Sequence, residues 1–185
     1  MSINAANVRK VTGKSMGGTA GAFYYAFLED ILSWPVQLTP AAVAATDFAD
    51  LVTVPIGDPF IMNTGKQFFQ VDCILEEGEV KHTQIGPRDC AAFENMYDNV
   101  YPGNDAAYLG FNALLANKDV VVIAEELNGV LRVIGFPNFP ARLDKSTGTG
   151  GKKVADGRKN TLSFVSRGEI PPPVYLAPVP LTPGA

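Results

Sequence analysis

Two cysteines, one histidine and one tryptophan are all that 185 residues hold of those types. A single pair of cysteines, Cys73 and Cys90, is no disulfide framework for a chain of this size, and both read as buried thiols. A zinc site needs three or four nitrogen or sulfur ligands, so one histidine, His82, argues against a metal centre, and no cofactor is expected. No run of about eighteen apolar residues is present to span a bilayer, and the N-terminal MSINAANVRK lacks the apolar stretch of a secretion signal. The expectation is a soluble protein made in the cytosol, without a membrane partner.

Charge is sparse as well. Charged residues make up 18% of the chain against 46% hydrophobic, which argues against disorder, while 18 Gly and 14 Pro suit a sheet protein with many turns. The formal charge of −4 is unevenly spread. Residues 142–159 hold six basic and two acidic side chains, a local +4 that leaves −8 for the rest. Unlike surfaces on one chain suit pairing between copies.

What is present is strand-forming sequence. VVVIAEELNGVLRVIGF, Val120 to Phe136, places two β-branched runs around Asn128-Gly129, a pair suited to a type I′ hairpin turn. KQFFQVDCILEEGEVKHTQIG, Lys66 to Gly86, reads as a second hairpin: Phe69, Val71, Cys73 and Leu75 alternate with polar residues, Glu77-Gly78 turns, and Val80 to Ile85 returns with His82 on a strand. The aromatic run from Phe23 predicts a strand through Phe27 and then a turn. TLSFV, Thr161 to Val165, predicts another strand. Helices are expected in RDCAAFENMYDNV and in NDAAYLGFNALLANK, the latter with Asn104 as N-cap and Asn117-Lys118 at its end, and a short one over Thr39 to Val52.

Three segments read as irregular. Residues 1–20 form an extended glycine-rich arm. Residues 142–160 form a long, flexible Gly/Lys flap that buries nothing. Six prolines between Pro171 and Pro183 forbid a central strand and favour a polyproline-like tail over 171–185, available to a partner. The fold class is therefore mainly β (α+β): one domain over 1–170, a β-sandwich or barrel of antiparallel hairpins with one or two flanking helices around a single hydrophobic core.

Catalytic readings fail on spacing. GTGGKK, Gly148 to Lys153, lacks the glycine and the Ser/Thr of a phosphate loop, with Ser146 and Val154 in those places, and TGKS at Thr12 fails likewise. The basic segment has no aromatic residue for stacking on nucleic-acid bases. Glu76/Glu77 and Glu125/Glu126 are adjacent on expected strands and so point to opposite faces. His82 is the one candidate base for a nucleophile, and no G-x-S-x-G elbow accompanies it. Tyr24, Tyr25, Phe68 and Phe69 invite a small-ligand cavity between strands, with core packing as the simpler account. The chain is expected to be no enzyme.

DVVVIAEELNGVLRVIGF followed by STGTGG, VADGRKNTLSF and a terminal proline stretch is similar to the layout of bacteriophage tail tube (major tail) proteins and related virion structural proteins. The resemblance covers about the last seventy residues closely and the rest by element order. It implies a non-enzymatic subunit of hexameric rings that stack into a tube through which DNA passes without specific binding, located in the virion tail beside other virion proteins. It further implies that Lys145, Lys152, Lys153, Arg158 and Lys159 dock on the next subunit. Other phage components (capsid decoration, tail terminator or connector) share the layout, and a soluble β-sandwich ligand-binding module is the rival from a different class.

Overall fold

The computed structural model describes residues 17–39, 47–153 and 157–184. Most of the expected N-terminal arm and the middle of the expected helix over Thr39 to Val52 lie outside them. Strands dominate: β1 (Thr19–Phe27), β2 (Ile31–Ser33), β3 (Thr53–Val54), β4 (Ile61–Met62), β5 (Phe69–Asp72), β6 (Glu79–Ile85), β7 (Ala92–Pro102), then the helix α1 (Ala106–Leu115), β8 (Val120–Glu126), β9 (Leu131–Ile134), β10 (Arg142–Thr149), β11 (Lys159–Gly168) and β12 (Val174–Tyr175). They form a six-stranded sheet in the order β3-β12-β9-β8-β1-β5, a four-stranded sheet in the order β10-β11-β7-β6, and the small ribbon β2-β4. Among the described residues the fold is mainly β, with sheets antiparallel but for β12-β3 and one α-helix.

The two large sheets pack face to face. Side chains alternate across a strand, so Phe23 of β1, Val120, Val122 and Ala124 of β8 and Ile134 of β9 meet Tyr97 of β7 and Leu162 and Phe164 of β11 in one core. Tyr108 and Leu115 of α1 close its end. The Phe23 ring lies edge-on to Tyr97 at 5.5 Å. The other parity of the same strands, Ala26, Val121, Ile123 and Val133, faces a second core with Phe60, Phe68, Val54 and Tyr175. Two cores replace the single one expected.

The C-terminal proline segment builds that second core. Proline donates no hydrogen bond but accepts, and the tail exploits this: Val133 donates its N–H to Pro173 at 3.0 Å and Phe68 to Pro180 at 2.8 Å. Val174 and Tyr175, which keep their N–H groups, form a strand inside the six-stranded sheet, between β3 and β9. The expectation of an undocked tail with no central strand is thus overturned.

Four further expectations are corrected. The Lys66 to Gly86 hairpin does not form: β5 pairs with β1, whereas β6 pairs with β7, and residues 73–78 carry the chain from one sheet to the other. Glu76 turns there with φ of 65°. RDCAAFENMYDNV is the strand β7 and not a helix, with Asn95, Tyr97 and Asn99 all buried on one face. At Asn128-Gly129 the pair does make a hairpin turn, but only Gly129 takes positive φ (82°). Its N–H reaches Glu126 O at 2.8 Å, and Glu126 N–H reaches Val130 O at 2.9 Å, the pattern of a type I turn closed by a glycine bulge. The strand through Phe27 with a 3₁₀ turn after it, and the second helix, form as expected. That helix is capped by Asp105, which accepts from Tyr108 N at 2.8 Å, and not by Asn104.

Gly168 ends β11 beneath the Phe136 ring, and a Cβ there would lie 2.4 Å from a ring carbon. Gly168→Ala should destabilise the fold by about 1–3 kcal/mol through overpacking, read from urea unfolding. Combination with Phe136→Leu should cost less than the sum of the two single changes, since they share one space.

Candidate assembly surface

The basic segment is not a flap. Residues 142–149 are the strand β10, paired with β11 from Arg142↔Val165 to Thr149↔Lys159, so the hairpin extends as a ladder, beyond which residues 150–153 and 157–158 are described and 154–156 lie outside the described residues. Thr147 and Thr149, set against Thr161 and Lys159, supply β-branched positions that favour this pairing despite Gly148. Lys145 is 79% exposed, with its Nζ 4.0 Å from Asp144 Oδ2. Lys152 and Lys153 are exposed in the tip. Arg158 is exposed and its carbonyl accepts from Gly103 N at 2.9 Å. Lys159 departs from the docking expectation: its Nζ binds Glu77 Oε1 of the same chain at 2.6 Å, linking the turn end of the hairpin to the crossover between the sheets. Asn160 adds to this by donating to the Gly103 carbonyl.

Among the described residues, no further strand pairs with either outer strand of the four-stranded sheet. β10, eight residues long, is exposed at all but Leu143, and β6, seven residues long, is exposed at all but Val80 and Ile85. A β-bulge between Leu143 and Lys145 bends β10. The sheet face turned away from the sandwich is a lattice of mixed charge: Lys81 Nζ lies 2.9 Å from Glu79 and 3.0 Å from Asp98, and Arg167 lies 3.4 Å from Glu94. Such exposed pairs contribute little stability, so their role is at most to set the character of the face.

Beside the start of β10 lies a groove of about 460 Å³ lined by Phe139, Arg142, Leu143, Asp144, Val165 and Arg167 among others. Ser166 Oγ holds the loop above it by donating to Phe139 O at 2.7 Å. Arg142 is anchored to Asp119 at 2.5 Å. No sequence signal marked this groove, because its lining comes from a loop, a bulge and a neighbouring strand.

The four aromatics of the ligand-cavity reading do not converge. Tyr24 faces the second core and Tyr25 the first, on opposite sides of β1. Phe68 is buried in the second core, while Phe69 is 39% exposed and lies against Tyr25 at 5.7 Å. His82 is exposed on β6, 6.3 Å from the Phe93 ring. Glu76/Glu77 lie in the crossover and not on a strand, and Glu126 is held by Arg132 at 3.1 Å. Among the described residues no group of three His, Cys, Asp or Glu is placed to hold a metal ion, and no helix is long and apolar enough to cross a membrane.

The cysteines separate. Cys73 is buried, its Sγ 3.9 Å from Tyr97 Oη, and burial pushes its thiol up to about 11. Cys90 is exposed in the β6-β7 turn, contrary to the expectation of two buried thiols. A disulfide-exchange dye should therefore titrate one thiol at once and the second only on unfolding. The raised Cys73 value also sets a pH window. The unfolded thiol ionises from about pH 9 while the folded one stays protonated until about 11, so Cys73 contributes a loss of stability as pH rises across that interval. Denaturation midpoints of the parent and of Cys73→Ala should converge in slope above it. Comparison with protein-family models, with curated proteins and with solved structures gave no match.

Proposed function

We propose that this chain is a non-enzymatic virion structural protein, a tail tube subunit whose copies join into hexameric rings that stack as the conduit for DNA. One observation carries the reading: a four-stranded sheet whose two edge strands, eight and seven residues long, pair with no further strand among the described residues. Free N–H and C=O rows are hazardous to a monomer, and ring closure, β10 of one copy beside β6 of the next, removes them. The sequence layout supports the same reading, as does the concentration of Lys145, Lys152, Lys153 and Arg158 on one projecting hairpin of an acidic chain. In the assembly the hairpin tip docks on the acidic surface of a neighbouring subunit. The charge-paired outer sheet face would present DNA with no cluster of unneutralised cations, in keeping with passage without binding. Its partners are then its own copies and other virion proteins, and its place is the tail.

Electron microscopy and native mass of the purified chain test this. Rings or tubes built from six-fold units are the expected result, and a particle that never exceeds a few copies would sink the reading. Replacing residues 150–158 by Asn-Gly, which joins the paired Thr149 and Lys159 in a tight turn, should leave the sandwich folded and abolish stacking into tubes. Tubes of unchanged length from that variant would remove the tip from the docking role.

A further inference from the structure

A seam of neutral polar side chains runs through the first core, and most of it is unpaired. Among the described residues, Thr19 Oγ1, both polar atoms of the Asn99 amide, Tyr108 Oη and Asn112 Oδ1 are buried without a hydrogen-bond partner. Thr19 and Asn99 are each 1% exposed and Tyr108 3%. Buried hydroxyls and amides are bonded to protein or to ordered water in nearly all folded proteins, because a stripped one costs more free energy than a marginally stable domain can spare.

The seam can be followed residue by residue. Tyr108 and Asn112 are four apart on α1 and so share a face. Burial raises the Tyr108 phenol, while Asn112 opposes and Cys73 adds to that rise, so both stand close to it. Cys73 Sγ lies 3.9 Å from Tyr97 Oη. Burial raises the Tyr97 phenol too, with Thr19 opposing, although Thr19 Oγ1 is outside hydrogen-bond geometry. A Cβ built on Gly78 would fall on that same Oγ1, and Gly78 precedes the Glu79↔Asp98 pair, which sets it opposite Asn99. Facing Cβ positions on paired strands are about 5 Å apart, so the Thr19 hydroxyl and the Asn99 amide border one space.

We propose that the first core contains two internal water sites, one between Thr19 Oγ1 and the Asn99 amide, the other between Tyr108 Oη and Asn112 Oδ1. Water suits both because it donates and accepts, as the hydroxyls and the Asn99 amide require, whereas Asn112 Oδ1 only accepts. None of these groups is charged, so an ion would be buried there without compensation. The first water sits where the chain crosses between the sheets. Backbone bonds already hold that crossover, from Cys73 N to Gly21 O at 2.7 Å, Ile74 N to Val100 O at 2.8 Å and Glu76 N to Thr19 O at 3.2 Å, and the water joins β1 to β7 beside them through side chains. The second seats α1 on the core. Neither site depends on how copies of the chain assemble.

Thr19→Val and Tyr108→Phe each delete a hydroxyl with little change of shape. Oxygen-17 magnetic relaxation dispersion of the full chain counts waters held longer than the molecule takes to tumble. The parent should show such waters, each variant should lose about one of them, and the double variant about two. Each variant should also raise the unfolding equilibrium constant roughly 5–30-fold in urea titrations, since the remaining partners are left poorly bonded. A dry, unpaired hydroxyl gives the opposite sign, because its removal stabilises the fold, and that result overturns the proposal. Lost stability with unchanged dispersion overturns it as well, since the hydroxyl is then bonded directly to protein. Should a variant fail to fold, the parent decides alone: long-lived waters uphold the proposal and their absence ends it.

Discussion

Everything in this molecule hangs on one strand that is buried on both faces. Val120, Val121, Val122, Ile123 and Ala124 of β8 have no exposed surface, and their side chains are divided between two cores that share nothing else so central. Each fully buried Val or Ile adds roughly 1.5–3 kcal/mol, so few positions elsewhere carry as much in so short a span. The strand also fixes the start of the β10-β11 hairpin. Val120 and Ala141 exchange both backbone hydrogen bonds, at 2.9 and 2.8 Å, and Asp119 holds Arg142 just beyond. The start of β10 is thereby set against the strand that is buried on both faces.

The four-stranded sheet balances exposure against selectivity. A free edge of seven or eight residues invites any strand, and the devices that discourage wrong pairing are visible on both sides. β10 carries Arg142, Lys145 and a bulge at Asp144, and β6 carries Glu79, Lys81 and His82. Charge on an edge disfavours pairing with itself and tolerates a partner of different pattern. Two unlike edges on one sheet favour head-to-tail joining over random stacking. Lys159, bound to Glu77, ties the basic hairpin to the acidic crossover, so the two unlike surfaces keep a fixed relation within each copy.

How much of this could be read from residues depends on whether the signal was local. The unbroken run VVVIA, the Asn-Gly turn and the helix after Pro102 are local, and each appears where expected. β7 was obscured because its inward parity is Asn95, Tyr97, Asn99: two amides at core positions break the apolar alternation on which a strand reading depends, and AAFENMY then resembles helix. Partner choice was not legible at all. Glu77-Gly78 has the chemistry of a hairpin turn, but β5 finds β1 and β6 finds β7, a decision made by the packing of both cores. The prolines misled for a related reason. Carbonyl acceptors and two intervening N–H donors suffice for a two-residue strand within a sheet, which the rule against proline in strands does not weigh. At the candidate surface, the basic side chains were legible as a group, while the ladder that orders them was hidden by its glycines. The groove at Phe139 and Arg167 was invisible, since its residues meet only through the fold.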